Sequence, residues 1–126
     1  MSKHNIHVSN VPDPVNDATA TTALFLMIGA LRNFAISQAS LRRGQWRGSP
    51  PAALGHDPDG KVLGILGMGG IGRDFAEKCR ALGMTVQYHN RHKLSEKEED
   101  GARYVEFDEL LKTSDVLSLN LPLNVR

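Results

Sequence analysis

A chain of 126 residues with 40% hydrophobic and 23% charged side chains has the size and composition of one water-soluble globular domain. Fifteen Lys and Arg against fourteen Asp and Glu leave a formal charge of +1, which excludes a long-range pull toward nucleic acid or an anionic membrane and leaves only local basic effects. The single cysteine, Cys79, excludes an internal disulfide framework and fits a reducing, cytoplasmic compartment.

In chain order, residues 5–11 (NIHVSNV) alternate apolar and polar side chains as in a short strand, which Pro12, Asp13 and Pro14 end. A long helix is expected over residues 17–41, with Asn16 or Asp17 as its cap and Ala20, Leu24, Met27, Ile28, Leu31 and Ala35 as its apolar stripe. Its apolar run, residues 23–31, is too short to span a bilayer, and no basic segment precedes it as in a signal peptide. Residues 42–60 hold Pro50, Pro51, Pro58, several glycines and Trp46, and read as an extended connection in which Trp46 packs on a neighbouring surface.

From residue 61 the pattern alternates strand and helix: a buried strand over residues 61–66 (KVLGIL), a helix over 71–82 ended by Gly83, and a strand over 85–89 (TVQYH). A short acidic helix follows, with Ser95 and Glu98 at capping-box spacing. Then come a helix over 109–112 capped by Asp108 and a third strand over 116–121 (VLSLNL). Parallel strands joined by right-handed helical crossovers make an α/β fold, one half of a doubly wound, Rossmann-type sheet preceded by the long helix. The resulting division is 1–41, 42–60 and 61–126. The first strand is central in such a sheet. With only three strands recognised, residues 62–66 are expected to present an unpaired apolar edge that recruits another chain.

Between the first strand and its helix lies Gly67-Met68-Gly69-Gly70-Ile71-Gly72, a G-x-G-x-x-G turn. The spacing occurs by chance in many sequences, and its value here comes from the strand before it and the helix face Ile71, Phe75, Ala76, Cys79 and Leu82 after it. The first glycine allows the tight turn, the second lets backbone approach a pyrophosphate, and the third lets helix and strand pack closely; the helix N–H groups then face the anion. A glycine-rich turn with no ligand is the alternative. On the same helix Cys79 falls on the apolar side and reads as core filler, not a nucleophile.

An acidic residue at the end of the second strand would hold the ribose 2′-hydroxyl of NAD. Here Asn90-Arg91-His92-Lys93 stand instead, and a guanidinium at the strand tip can pair with the 2′-phosphate of NADP; a solvated basic turn is the alternative. His89 and His92 lack further ligands at metal-binding spacing and read as surface histidines, so no metal site is assigned.

VSNVP with DATATTALFLMIGALRN, then RRGQW, GKVLGILGMGGIGRDFAEKCRALGM, YHNR and EFDELLKTSDVLSLNLPL together resemble the D-isomer-specific 2-hydroxyacid dehydrogenases, in their glyoxylate and hydroxypyruvate reductase-like branch. The resemblance covers almost the whole chain. It implies a helix between two domains followed by the front half of a cofactor site. Gly70 and Ile71, with Gly67, Gly69 and Gly72, would lie at the pyrophosphate, Asn90 and Arg91 at the adenosine ribose, and Leu121 with Pro122 against the adenine. Thr19 would stand on the nicotinamide side.

The family's chemistry uses an arginine that orients the substrate carboxylate, a histidine acid/base and a glutamate that tunes it. The resemblance places all three beyond Arg126, so no catalytic residue is assigned. The expectation is an oxidoreductase piece that binds NADP in preference to NAD, meets a small 2-oxo or 2-hydroxy acid only in the full-length context, and is silent in catalysis alone. A non-enzymatic dinucleotide-binding or sensing module is the alternative, and a fragment without an independent role is the third. The partners expected are the dinucleotide and further copies of the chain in an oligomer or aggregate, with neither nucleic acid nor membrane.

Overall fold

The computed structural model describes residues 7–11, 13–46 and 54–122. Residues 5 and 6 of the expected N-terminal strand, together with Pro12, Pro50, Pro51 and Arg126, lie outside the described residues. Residues 7–11 take no regular structure. A strand is stable only in a ladder, and among the described residues no strand pairs with them.

Two helices replace the single expected one: α1, Asn16–Leu31, and α2, Phe34–Arg42, bent by 70° about Arg32 and Asn33. Asn33 sits in the left-handed region (φ 53°), a conformation asparagine tolerates better than most residues. The N-cap of α1 is Val15, and neither Asn16 nor Asp17 caps it. Asn16 is the first helical residue, and its Nδ2 donates to Asp13 Oδ1 at 3.2 Å. The C-terminal carbonyls of α1 are met from outside, His56 N–H donating to Leu31 O at 2.8 Å. No single helix among the described residues is long and apolar enough to cross a membrane.

The core is a parallel sheet formed by β1 (Val62–Leu66), β2 (Thr85–His89), β3 (Arg103–Tyr104) and β4 (Val116–Leu119), in the order β3-β2-β1-β4. This is the first part of the doubly wound strand order. The expected unpaired edge is therefore absent from β1, which pairs with β2 on one side (Gly64 beside Gln87) and with β4 on the other (Gly64 beside Leu117). The physical reason is β3. Two residues long and unmarked in the sequence, it occupies the far side of β2, so the next crossover runs back over the opposite face and lays β4 against β1.

Alternation along β1 separates the two helical layers. Ile65 faces α3 (Gly70–Arg80): a Cβ on Gly72 would stand 3.2 Å from Ile65 Cγ2. Gly64 faces the opposite way, toward α5 (Phe107–Thr113), where a Cβ would stand 2.0 Å from Ser114 Oγ and 3.2 Å from Leu110. Gln87, beside Gly64, is buried and satisfied by the same helix end, its Nε2 donating to Thr113 Oγ1 at 2.7 Å and Ser114 Oγ at 3.1 Å. Helix α5 is capped by Glu106, not Asp108. Val105 N–H still pairs with Tyr88 O, so the chain leaves the sheet only at Glu106 and turns at once into the helix.

Helix α1 packs on α3 and extends the core. Ala20 and Met27 are buried with Phe75, Ala76 and Cys79, while Leu24, Ile28 and Leu31 pack partly buried against them; Ala35 of the expected stripe is exposed on α2. Cys79 Sγ lies 3.9 Å from Met27 Sδ, and burial pushes its thiol up to about 12, as befits filler. Lys78 pairs with Asp17 at 2.6 Å, and this hydrogen bond raises the lysine pKa above its ordinary value. Trp46 is 80% exposed and docks on no described surface, contrary to the packing expected of it.

Candidate functional site

The glycine turn joins the C-terminal end of β1 to the N-terminus of α3. Gly67 takes φ +96°, donates its N–H to His89 O at 3.0 Å, and abuts Asn120, whose carbonyl oxygen would lie 2.7 Å from any Cβ placed there. Only glycine meets both conditions. At Gly69, the N-cap of α3, an added Cβ would meet nothing within 4 Å: the turn opens to solvent there. Gly72 fits the reason for a third glycine, since a Cβ would come within 2.9 Å of Gly67 O and press on Ile65.

The first amide in the α3 ladder to find a backbone acceptor is that of Arg73, which donates to Gly69 O at 3.0 Å. Among the described residues the N–H groups of Gly70, Ile71 and Gly72 have no backbone acceptor, as expected at a helix start. They carry the positive end of the helix dipole toward the opening beside Gly69. Free amides at a helix N-terminus are the donor set that a phosphate group takes, so the chemistry of the turn suits a dinucleotide's pyrophosphate.

Helix α1 closes one side. Asn16 Nδ2 would stand 2.3 Å from a Cβ on Gly70, so the N-terminal turn of α1 rests on the glycine loop; Thr19 lies one turn further along and is exposed. Leu121 borders the other side, its Cδ2 2.9 Å from a Cβ built on Gly67, and Leu121 and Pro122 are both exposed. Strand β4 ends at Leu119, two residues earlier than expected, although Asn120 N–H still donates to Leu66 O at 2.9 Å.

The tip of β2 faces the same loop. Asn90 Oδ1 accepts Met68 N–H at 2.7 Å, a strong tie between strand tip and glycine turn that the sequence did not disclose. Beyond it, Arg91 is exposed and makes no ion pair or hydrogen bond with any described residue. Lys93, by contrast, pairs with Glu99 at 3.6 Å, and Arg73 with Glu98 at 3.4 Å. Ser95 and Glu98 form the expected capping box at the start of α4 (Glu96–Glu99), with the Glu98 carboxylate accepting from Ser95 Oγ at 2.7 Å and from its N–H at 3.3 Å. Those bonds, the hydroxyl first, hold the Glu98 carboxyl below its ordinary pKa.

The two histidines of this region differ. His92 is exposed, but His89 is no surface residue. It is half-buried between Tyr104 and Phe107, with ring centroids 5.6 and 5.9 Å away, and its Nδ1–H donates to Val105 O at 2.9 Å. Among the described residues no group of three or more His, Cys, Asp or Glu side chains could hold a metal ion. A groove of about 500 Å³ between α3 and α4, walled by Arg73, Asp74, Ser95 and Glu98 among others, lies beside the glycine turn and takes no wall from it. With Asp74, Glu77, Glu98 and Asp100 set against Arg73 and Lys97, its lining is net acidic and does not suit an anion such as a phosphate.

A β-strand, an open glycine turn and a helix N-terminus at the end of a parallel sheet define a dinucleotide-binding α/β domain. Residues 24–126 match the family model described as "D-isomer specific 2-hydroxyacid dehydrogenase, NAD binding domain", and the chain belongs to that family of oxidoreductases. It is 60% identical over 119 residues to 4-methyl-2-oxopentanoate reductase A of Aspergillus oryzae, covering 94% of this chain and 36% of that protein. Glyoxylate reductase 1 of Saccharomyces cerevisiae is 50% identical over 128 residues, covering 98% and 37%. Among solved structures, a glyoxylate reductase from Paecilomyes thermophila superposes with a TM-score of 0.90 at 57% identity, over 98% of this chain and 37% of that one. An acyclic imino acid reductase in complex with NADPH and D-Arg superposes with a TM-score of 0.84 at 31% identity, over 98% and 39%. The chain thus spans little more than a third of the length of these relatives, and it is part of their NAD-binding domain.

Proposed function

We propose that this chain supplies the adenosine and phosphate end of an NADP-preferring cofactor site in a reductase of small 2-oxo acids. The observation that carries the preference is Arg91: exposed, free of partners among the described residues, one step past a strand tip that is anchored to the glycine turn and bears no carboxylate. In this reading the amides of Gly70, Ile71 and Gly72 bind the pyrophosphate, with Gly67 and Gly69 shaping the turn. Arg91 binds the 2′-phosphate beside Asn90, Leu121 and Pro122 border the adenine, and Thr19 stands toward the nicotinamide. When bound, the dinucleotide supplies the hydride.

The substrate class rests on relatives named for 4-methyl-2-oxopentanoate and glyoxylate. Hydride transfer also needs an acid/base and a carboxylate clamp in near-attack geometry, and the family resemblance assigns neither role to a residue of this chain. The chain alone is therefore expected to bind without turning over. The single buried Cys79 accords with a reducing, cytoplasmic setting.

The test is calorimetric titration with NADPH and NADH. A guanidinium–phosphate hydrogen bond is worth about 1.5 to 3 kcal/mol, or about one to two decades of affinity, so NADPH should bind more tightly by that factor and Arg91→Ala should remove most of the difference. Equal or tighter binding of NADH by the unaltered chain would sink the preference.

A further inference from the structure

The turn that carries Arg91 is pinned at both ends. At its start Asn90 is tied to Met68; at its close Leu94 N–H donates at 2.9 Å to the hydroxyl of Tyr88, a side chain with no exposed surface. That hydroxyl in turn donates to Glu99 Oε1 at 2.8 Å, and Glu99 also draws Lys93 to 3.6 Å. The phenol ring cannot swing, because Tyr104 packs edge-on against it with centroids 5.5 Å apart at 75°. A buried tyrosine needs a partner for its hydroxyl, and a bland core tyrosine would take any carbonyl. Here both partners belong to the basic turn and the helix that follows it. One cation of the turn, Lys93, is neutralised by Glu99, while Arg91 is left facing solvent on a backbone held from both sides.

We propose that Tyr88 and Glu99 are positioning residues for 2′-phosphate recognition, holding the turn of residues 90–94 so that Arg91 meets a dinucleotide phosphate without first having to be ordered. This rests on the reading of Arg91 given above. A pre-ordered turn loses less conformational freedom on binding, and the gain falls only on a ligand that uses Arg91. A merely structural role would instead lower the affinity for both dinucleotides alike.

The experiment is titration of the chain with NADPH and with NADH for Tyr88→Phe, Glu99→Ala, Glu99→Gln, Arg91→Ala and the double variant Tyr88→Phe with Arg91→Ala. Tyr88→Phe should raise the NADPH Kd by about three- to tenfold, the scale of one neutral hydrogen bond, and leave the NADH Kd within about twofold. Glu99→Ala should shift it in the same direction, and Glu99→Gln, which keeps an acceptor for the hydroxyl, should restore most of it. The double variant should bind NADPH no more weakly than Arg91→Ala alone, because the two residues act through one contact. If Tyr88→Phe fails to fold, Glu99→Ala carries the test, since the buried ring stays in place. Equal losses for NADPH and NADH, or an unchanged ratio in both Tyr88→Phe and Glu99→Ala, would overturn the positioning role. If Arg91→Ala leaves the ratio unchanged, the Arg91 reading fails and this inference with it; if it lowers the ratio while the other variants do not, only the positioning role fails.

Discussion

Gly67 and Tyr88 show how single residues set the site. At Gly67 a methyl group would face both a left-handed backbone and a backbone carbonyl 2.7 Å away that cannot yield cheaply. Gly67→Ala is therefore expected to cost about 2 kcal/mol or more and to weaken both dinucleotides alike, read by urea unfolding and by titration; a neutral effect would mean the turn has another conformation within reach. Burial pushes the Tyr88 hydroxyl up from 10.0 to about 12. Because the folded value lies above the unfolded one, its contribution to stability is fully present below pH 10 and is lost as pH rises toward about 12, when the unfolded chain releases this proton first. Denaturation followed across that window should show the loss, to which the Cys79 thiol, also pushed up to about 12, adds; Tyr88→Phe should make the loss shallower without removing it. Cys79, held as a neutral thiol in the core, should react with an alkylating reagent only after unfolding.

At the scale of elements, legibility followed locality. Strands β1 and β2, the glycine turn and the buried face of α3 depend on side-chain period and glycine placement within a dozen residues, and the sequence shows each within a residue or two. The capping box of Ser95 and Glu98 is equally local. Strand β3 was not legible: it is two residues long and exists only because Arg103 and Tyr104 pair with Gln87 and Tyr88. Missing it also misplaced β4 and left β1 without a neighbour on the side away from β2. The bend between α1 and α2 has neither proline nor glycine to mark it, only an asparagine that accepts a left-handed backbone. Asn33→Val should consequently destabilise the chain by about 1 to 2 kcal/mol, or let the two helices straighten into one. Thermal unfolding with circular dichroism distinguishes these, and no change in either would contradict the strain at Asn33.

For the molecule as a whole, the glycine turn and its anchors were visible in part: Gly67 to Gly72 and Arg91 announce themselves by type and spacing, whereas the ties from Asn90 to Met68 and from Tyr88 to Leu94 join residues whose roles only the fold reveals. The helical layer leaves Phe25, Leu26, Phe34, Ile36 and Leu41 half or more exposed, and β4 adds Leu119 at the sheet edge. Apolar area of this kind on an isolated domain favours association. Light scattering after size exclusion should find dimers or larger species, and a monodisperse monomer with a sharp thermal transition would contradict that expectation. In the proposed site the α3 N-terminus holds a pyrophosphate while Arg91 holds a 2′-phosphate. Phosphorus NMR of NADPH titrated with the chain tests it most directly. Both the pyrophosphate and the 2′-phosphate resonances should move on binding, and Arg91→Ala should abolish the second movement and spare the first; a 2′-phosphate resonance that responds identically to both proteins would contradict the proposed site.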